Sequence, residues 1–348
     1  MNEVTIGIFK ILSVFVISFV FALIIFPLWY YVMMKFRLGK NIRAQGAPVF
    51  QAMHQKKAGT LAMGGVIVWL VPIVIGLLFF FIGRENAFGQ WINFVDRRET
   101  YLPLALLALA GVLGGIDDLF GIFKVGPFRG GMGIKEKIIL YVAIALLVGW
   151  WFVTKLGIRF LTIPFWGRIY LGPIWYFLFL VFFILALSFS ANETDGLDGL
   201  LGGVAMSTIF VLGIVSFING NFNLAALSAS VLGAILALLW FNIYPAKVFM
   251  GDTGSMAIGI FLAIVFLLEG IPLLALIMLP VFVVESGSVL LQVFSKKIRK
   301  KKLFLSTPIH HHFEAQGEHE SSIVFRFWVV NVLGSILGLM IAILDKYL

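Results

Sequence analysis

Cysteine is absent from this sequence of 348 residues, and charged residues are scarce at 12%. Without a thiol the chain has no disulfide, no thiolate nucleophile and no cysteine-based zinc site. Soluble domains contain about a quarter charged residues, so the scarcity indicates that lipid is the main solvent. The apolar residues, at 61%, form many runs of the length that a helix needs to cross a bilayer.

These apolar runs predict an all-α polytopic membrane protein, with one integral-membrane domain over residues 1–348 and no soluble appendage. The opening MNEVTIGIFK lacks the basic start and small-residue cleavage site of a removable signal peptide, so we expect a retained first span. No fixed-period repeat is visible. The ten predicted spans are residues 6–33, 60–82, 101–117, 137–154, 173–190, 200–218, 224–243, 255–268, 271–293 and 323–344.

Lysine and arginine are unevenly divided between the two sets of loops that ten crossings create. Excess Lys and Arg mark the cytoplasmic side, so the richer set is predicted to face the cytoplasm and both termini the periplasm or exterior. The net charge of +9 then reflects orientation and attraction to anionic membrane lipid, and we expect no nucleic-acid partner. The same set holds nearly all the unusual polar motifs. Its loops are residues 34–59, 118–136, 191–199, 244–254 and 294–322.

The motif GGIDDLFG places two adjacent carboxylates, Asp117 and Asp118, at the inner end of the third span. Adjacent carboxylates at a membrane boundary repel each other and are costly to desolvate unless a cation compensates them. Hard oxygen ligands of this kind suit Mg²⁺ that is shared with substrate phosphates. A solvated helix end is the simpler alternative, and we favour a functional site because charges near membrane depth are rare without a function.

Two further acidic motifs lie in the same set of loops. In SANETDGLDGLLGG, Asp195 and Asp198 are three residues apart and would share a helix face, although a glycine-rich turn with an Asp cap explains them equally well. In VFMGDTGS, Thr253 or Ser255 is predicted to cap the eighth span, whose N-terminus favours a nearby anion. The loop residue Phe249 is placed to stack on a base or simply to enter the membrane interface.

The motif STPIHHHFEAQGEHE contains three consecutive histidines, His310, His311 and His312. Structural zinc is disfavoured because cysteine is absent and the carboxylates lie elsewhere, so hydrogen bonds to a pyrophosphate or sugar fit better. In the ninth span Glu285 and Gln292 are seven residues apart and share one helix face. We expect them to face the bundle interior, with Gln292 contacting a nucleotide.

The motifs IDD, TDGLDGL and VFMGDTGS resemble the shared signatures of the polyprenyl-phosphate N-acetylhexosamine-1-phosphate transferases. HHHFE, followed by FRFW at 325–328, is similar to the branch that transfers phospho-MurNAc-pentapeptide from UDP-MurNAc-pentapeptide to undecaprenyl phosphate, giving lipid I and UMP. The similarity extends from Lys57 to Trp328. It implies a ten-helix fold, usually dimeric, in the bacterial plasma membrane, with Mg²⁺ as cofactor and a cytoplasmic site for peptidoglycan synthesis.

The resemblance also assigns functions to residues. It implies that Asp117, Asp118 and Asp252 are catalytic, and that Asp252 is the magnesium ligand. It places Lys137 near the phosphates, and the three histidines His310, His311 and His312 near the sugar and pyrophosphate. The residues that it places in the UDP pocket are Lys57, Asn192, Asp195, Asp198, Asn242 and Phe249.

Two stretches depart from the family's pattern. KAGTLAMGG has Leu61 and Ala62 where the family has Pro and Thr, and SFSANETDGLDGL has Phe189 where Asn is expected and Glu193 where an apolar residue is usual. These changes affect the expected contacts to uridine and to inhibitors. They leave the aspartates and histidines in place.

In the implied reaction the lipid phosphate enters from the bilayer, attacks the β-phosphate of the donor and expels UMP. Positioning and charge neutralisation dominate such chemistry, with Asp252 holding Mg²⁺ and with Lys57 and Lys137 sharing the charge. Whether Asp117 acts as a base or orients its neighbours stays open. A sister transferase that uses UDP-GlcNAc is the nearest alternative, against which HHHFE and FRFW argue; a transporter or flippase would place paired charges in mid-span and show internal symmetry.

Overall fold

A computed structural model describes residues 2–39, 59–83, 87–97, 99–125 and 132–348, and these form a bundle of helices. The long helices are α1 (Glu3–Lys35), α2 (Val66–Ile82), α4 (Tyr101–Ile122), α5 (Ile134–Thr154), α6 (Gly172–Thr194), α7 (Leu200–Ile218), α8 (Phe222–Asn242), α9 (Asp252–Leu268), α11 (Pro280–Ile298) and α13 (Glu320–Tyr347). The short elements are α3 (Ala87–Ile92), β1 (Phe160–Ile163), β2 (Gly167–Tyr170), α10 (Ala275–Met278) and α12 (Ile309–Ala315).

Seven of the helices in the described ranges are long and apolar enough to cross a membrane by themselves: α1, α4, α5, α6, α7, α8 and α13. The bent pair Pro272–Met278 and Pro280–Ile298 provides an eighth candidate. Helices α2 and α9 are also apolar but have only 17 residues each. The protein is therefore an all-α multi-pass membrane protein, and the count of ten spans stays a prediction.

Helix α9 lies at the centre of the bundle, with every residue from Thr253 to Leu267 buried. A helix that is apolar on all sides lies in a core or in a membrane, and α9 is covered by α4, α6 and α2. Small residues allow the close approach that membrane helices need. A Cβ on Gly114 of α4 would come 2.2 Å from the backbone oxygen of Asp252. The start of α9 is thereby fixed against the end of α4.

The predicted ninth span, residues 271–293, is not one helix. The helix is interrupted before Pro280, and the helix axis turns by 87° between the segment Pro272–Met278 and α11. Proline has no N–H and cannot continue the pattern of helical hydrogen bonds. At the break the hydroxyls of Thr208 and Ser335 donate to the Met278 carbonyl at 3.0 and 2.9 Å. Hydroxyl groups of the protein thus provide the hydrogen bonds for a backbone carbonyl that lipid could not provide.

Several helices extend beyond the predicted spans into the motifs. The third span was predicted to end at residue 117, but α4 continues to Ile122. The fifth was predicted to end at residue 190, but α6 continues to Thr194 and makes Asn192 helical. The loop between α5 and α6 contains an antiparallel hairpin, β1–β2, that the all-α prediction did not include.

The two ends of the bundle differ in content. Asp117 and Asp252 lie together at one end, here called the aspartate end, and the β1–β2 hairpin lies at the other. At the hairpin end Lys10 of α1 donates to Asn223 at the start of α8, at 2.7 Å. Asp345 near the end of α13 accepts the Phe165 N–H of the hairpin turn. The outer turns of both α1 and α13 therefore lie at the end opposite the aspartates.

Candidate active site

Lys137 in the first turns of α5 links carboxylates from two other helices. Its Nζ lies 2.7 Å from Oδ2 of Asp117 on α4 and 2.9 Å from Oδ2 of Asp252 on α9. The Asp117 side chain is 2% exposed, whereas that of Asp252 is 24% exposed. Two neighbouring carboxylates would repel each other, and the ammonium between them attracts both and offsets one of their two charges. The structure thus brings together three residues that lie far apart in the sequence.

The carboxylate of Asp118 occupies the N-terminus of α9. Its Oδ1 accepts the Asp252 N–H and its Oδ2 accepts the Thr253 N–H, both at 3.0 Å. The first N–H groups of a helix lack partners within the helix and favour a negative charge. Gly251 precedes them with φ +79°, and a Cβ there would come 2.6 Å from the Asp118 carboxylate. The anion that the helix start was predicted to favour is a side chain of the protein.

The predicted cap of this helix by Thr253 or Ser255 is wrong. Both residues lie within α9, which has no side-chain cap of its own. The Thr253 hydroxyl donates to the Gly111 carbonyl at 2.7 Å and accepts from Trp69 at 3.0 Å. Because α4 reaches the start of α9, a carboxylate from α4 performs the capping that local hydroxyls were expected to perform.

The TDGLDGL motif contributes an amide to the charged cluster. Asn192, in the last turn of α6, donates to Oδ1 of Asp252 and to the Ser255 hydroxyl. Glu193 beside it is half-buried and lies within electrostatic range of Lys137 and Glu285. Asp195 is half-buried at the end of α6, where it follows the last helical turn. One side of the Asp252 carboxylate is therefore held by an amide and the other by an ammonium.

Asp198 and Asn242, both predicted to line a nucleotide pocket, are buried and bind backbone. Asn242 accepts the Gly199 N–H at 3.2 Å and donates to the Val248 carbonyl at 2.9 Å. Asp198 accepts the Ala246 N–H at 3.0 Å. These bonds join the loop before α7 to the loop before α9. Their contact with a nucleotide stays a prediction, and their observed contacts position the loop that carries Phe249.

The Phe249 loop is also held by the segment that departs from the family's pattern. The Phe249 N–H donates to the Leu61 carbonyl at 2.8 Å, and its own carbonyl accepts the Gly64 N–H at 2.9 Å. The side chains of Leu61 and Ala62 are buried. The departures at Leu61 and Ala62 therefore lie in a segment that holds the Phe249 loop by backbone hydrogen bonds. Phe249 itself is half-buried. Lys57, predicted to line the same pocket, lies outside the described residues.

His310 is fully buried in α12 and pairs with a buried carboxylate. Its Nδ1 lies 2.9 Å from Oε2 of Glu285 on α11, and both side chains are 0% exposed. On its other side the ring lies over Gly196, where a Cβ would come 2.1 Å from Nε2. The glycine of TDGLDGL and the first histidine of HHHFE thus form one packed contact.

The His311 ring packs edge-on against the His310 ring, with centroids 4.0 Å apart, whereas His312 faces the preceding loop. Nδ1 of His311 lies 2.6 Å from Oε2 of Glu314, and the ring is almost buried. His312 accepts the Leu305 N–H at 3.2 Å and lies at the protein surface. The three imidazoles therefore have three different environments.

Gln292 uses both ends of its amide on the loop that leads to α12. Its Oε1 accepts the N–H groups of Leu303 and Phe304 at 2.8 and 3.0 Å, and its Nε2 donates to the Phe304 carbonyl at 3.0 Å. The side chain is buried with a residue exposure of 4%. The structure does not bring Gln292 into the aspartate cluster, and its contact with a nucleotide stays a prediction.

Comparison with known proteins identifies the family. Residues 101–269 match the model of glycosyl transferase family 4. The chain is 34% identical over 333 residues to phospho-N-acetylmuramoyl-pentapeptide-transferase of Clostridium novyi (strain NT), with 95% of each chain covered. It is 34% identical over 340 residues to the enzyme of that name from Listeria welshimeri serovar 6b, with 97% of this chain and 99% of the relative covered. It is 36% identical over 325 residues to the enzyme of that name from Clostridium perfringens (strain 13 / Type A), with 93% of this chain and 96% of the relative covered.

This chain belongs to the phospho-N-acetylmuramoyl-pentapeptide-transferase family. The resemblance inferred from its motifs is confirmed, and the protein is a multi-pass membrane transferase. Part of the FRFW motif in this family member serves packing. Trp328 of α13 lies on Gly203 of α7, where a Cβ would come 2.0 Å from the indole.

Sequence reasoning missed two site contacts in this transferase. Glu320, at the start of α13, accepts the Asp198 N–H at 2.7 Å, and Glu285 was noted as polar but not as the partner of His310. Neither pairing has a local signal, because each joins segments that are far apart in the chain. A buried acid beside a motif histidine is visible only after folding.

The donor set of the aspartate cluster suits a hard divalent cation. Within the described ranges no three His, Asp or Glu side chains gather in a geometry that could hold a metal. The aspartate cluster offers one accessible carboxylate, that of Asp252, whereas the carboxylate of Asp117 is buried against Lys137. Mg²⁺ needs few protein ligands because it keeps water and binds substrate phosphates, so the residues fit it better than they fit Zn²⁺.

Proposed function

We propose that this protein transfers phospho-MurNAc-pentapeptide from UDP-MurNAc-pentapeptide to undecaprenyl phosphate, giving lipid I and UMP. The observation that carries the proposal is the Lys137 ammonium held between Asp117 and Asp252, where α4, α5 and α9 meet. The names of relatives that match nearly the whole chain supply the transferred group, phospho-N-acetylmuramoyl-pentapeptide, and the motif resemblance supplies the donor and the acceptor.

Bringing two phosphate substrates together opposes electrostatic repulsion, so the site must supply positive charge. Lys137 supplies one positive charge at a fixed position, because its carboxylate partners hold the ammonium in place, and a bound metal would supply more. An oxygen of the lipid phosphate would attack the β-phosphorus of the donor while the bond to UMP breaks. Electrostatic stabilisation by groups already in position is the main contribution that a protein makes to phosphoryl transfer.

Mg²⁺ is the proposed cofactor, and Asp252 would hold it. When bound it would neutralise charge on the phosphate oxygens. Asn192 holds Asp252 from the other side, and Asp118 fixes the backbone at the start of α9. The carboxylate that the proposal gives to the metal is thereby oriented by two neighbours.

The proposed location is the bacterial plasma membrane, with ten spans and the aspartate end in the cytoplasm. The excess of Lys and Arg in the loops at this end supports that orientation. A cytoplasmic site gives access to a soluble nucleotide donor, and a site at the membrane boundary gives access to a lipid acceptor.

Donor choice tests the proposal. Purified protein is incubated with undecaprenyl phosphate, Mg²⁺ and either UDP-MurNAc-pentapeptide or UDP-GlcNAc, and UMP release is recorded. We expect release at least about 100-fold faster with UDP-MurNAc-pentapeptide, because a site that pairs with a substrate's polar groups discriminates strongly against analogues without them. Equal rates, or faster release from UDP-GlcNAc, would instead identify a sister transferase.

A further inference from the structure

Tyr141 is a buried phenol beside the charged cluster, and the reaction proposed above gives it no function. It lies in α5 four residues after Lys137, and therefore on the same helix face. Side chains of a helix lean toward its N-terminus, which directs Tyr141 over the turn that carries Lys137. The residue is 3% exposed.

The hydroxyl of Tyr141 is buried and has no hydrogen-bond partner within the described part of the chain. Buried hydroxyls normally have a partner, because an unpaired one has lost its bonds to water without replacement. The charged groups within electrostatic range of the phenol are Asp252, Lys137, Asp117 and Glu193. The unpaired donor therefore lies near the charged groups of the reaction site and is buried away from lipid.

A second buried tyrosine shows that burial alone does not explain this arrangement. Tyr176 in α6 is also 3% exposed, yet among the described residues no charged group acts on its phenol. Phenylalanine would fill either space without burying a hydroxyl. At Tyr141 the hydroxyl therefore adds a donor at a place where anionic substrates are expected.

We propose that the Tyr141 hydroxyl donates a hydrogen bond to a phosphate oxygen of a bound substrate, beside the charge of Lys137. The inference rests on the transferase function proposed above. A phenol can lie among carboxylates without changing the charge of the site, and anionic oxygens accept strong hydrogen bonds from hydroxyls. The phosphate belongs to the nucleotide donor or to the lipid acceptor, which share this chemistry.

The variant Tyr141→Phe tests the inference, because it removes one oxygen and keeps the ring. We expect kcat/KM for UMP release to fall about 10- to 100-fold, the loss expected for one hydrogen bond to a charged group. The unfolding temperature should stay unchanged or rise, because the variant removes an unpaired buried polar group. A rise in KM for the nucleotide assigns the bond to the donor phosphates, and a rise for undecaprenyl phosphate assigns it to the acceptor.

Tyr176→Phe is the matched control, since it removes a phenol oxygen from a residue of equal overall exposure away from the cluster. It should leave turnover unchanged. A lowered unfolding temperature in Tyr141→Phe would indicate a structural hydroxyl, and a raised Mg²⁺ requirement would assign the hydroxyl to the carboxylates. Either result overturns the inference.

Equilibrium binding separates this inference from the proposed reaction. Calorimetric titration of the full-length protein with UDP, and separately with undecaprenyl phosphate, needs no turnover. Binding of one of them about tenfold weaker in Tyr141→Phe supports the hydrogen bond even if the wild-type protein fails to use UDP-MurNAc-pentapeptide. Wild-type affinity for both probes, with wild-type kcat/KM, contradicts the inference while leaving the transferase function intact.

Discussion

The Asp117 carboxylate has little freedom left in the folded protein. Its Oδ2 faces the Lys137 ammonium at 2.7 Å, its Oδ1 accepts the Met132 N–H, and the side chain is 2% exposed. A general base must present a free oxygen to the proton that it takes. A phosphate monoester has a second pKa near ~6, so the lipid phosphate is already mostly dianionic at pH 7. These contacts favour an orienting function for Asp117 over that of a base.

The variant Asp117→Asn distinguishes the two functions. We expect UMP release to fall on the order of 100-fold, the loss typical of removing one preorganised electrostatic contact, and to stay low as the pH rises from about 7 to 9. A base would be replaced in part by the higher pH, which supplies dianion directly. Recovery of the rate at high pH, with unchanged Mg²⁺ dependence, would identify Asp117 as the base.

Asp252→Asn is the companion variant at the accessible carboxylate. It keeps an oxygen that can accept from Asn192 but removes the charge opposite Lys137 and the proposed metal ligand. We expect most activity to be lost and the Mg²⁺ concentration for half-maximal rate to rise, because a charged ligand is gone. An unchanged Mg²⁺ requirement would place the metal elsewhere.

The residues of the site could be predicted from sequence better than their contacts. The motifs led to Asp117, Lys137 and Asp252, which meet in the structure. Asp118 was expected to act beside Asp117, yet its carboxylate caps α9. Adjacent residues on a helix point in directions about 100° apart, so one can face the site while the other faces a neighbouring helix. Which one does so depends on packing that sequence alone does not reveal.

At the scale of helices, α7 and α13 meet where Trp328 covers a glycine. Gly203→Ala would place a Cβ 2.0 Å from the indole, and the chain offers a control in the same helix, since a Cβ on Gly213 would meet nothing closer than 3.7 Å. We expect Gly203→Ala to destabilise the protein by about 1–3 kcal/mol through overpacking. Gly213→Ala should stabilise it by about 0.5–1 kcal/mol through helix propensity.

Thermal unfolding in detergent, compared between the two alanine variants, measures this difference. The double variant Gly203→Ala with Trp328→Leu should recover part of the loss, because the smaller side chain makes room for the new methyl group. Equal unfolding temperatures for the two single variants would show that the helices separate without cost and that the close contact is unimportant.

The positions of the helices follow from the apolar runs, whereas their irregularities do not. The extent of an apolar run predicts the length of a helix, and it predicted α7 at residues 200–218, which are its observed bounds. The 87° turn before Pro280 has no signal in the hydropathy, since the sequence on both sides of the turn is apolar. What makes the turn possible is two hydroxyls on other helices that bind the Met278 carbonyl. A contact between distant segments decides the shape, and hydropathy does not record it.

At the scale of the whole molecule, the described fold has two distinct ends whose placement in the membrane can be tested. The aspartate end includes the exposed Gln316, and the hairpin end includes Trp166, which is 84% exposed. Helix α5 leads from one end to the other over 21 residues, or roughly 30 Å. The two positions therefore lie at opposite ends of the bundle, on opposite sides of the membrane in the predicted topology.

Single cysteines at these two positions report the orientation without background, because the natural chain has no cysteine. A maleimide that cannot cross membranes should label Trp166→Cys in intact cells and Gln316→Cys only in inverted vesicles, since the excess of Lys and Arg places the aspartate end in the cytoplasm. Both variants should label after detergent is added, which controls for access. Labelling of Gln316→Cys from outside would reverse the orientation and place the proposed site away from its soluble donor. Labelling of both positions from one side would contradict a bundle that spans the membrane between its two ends.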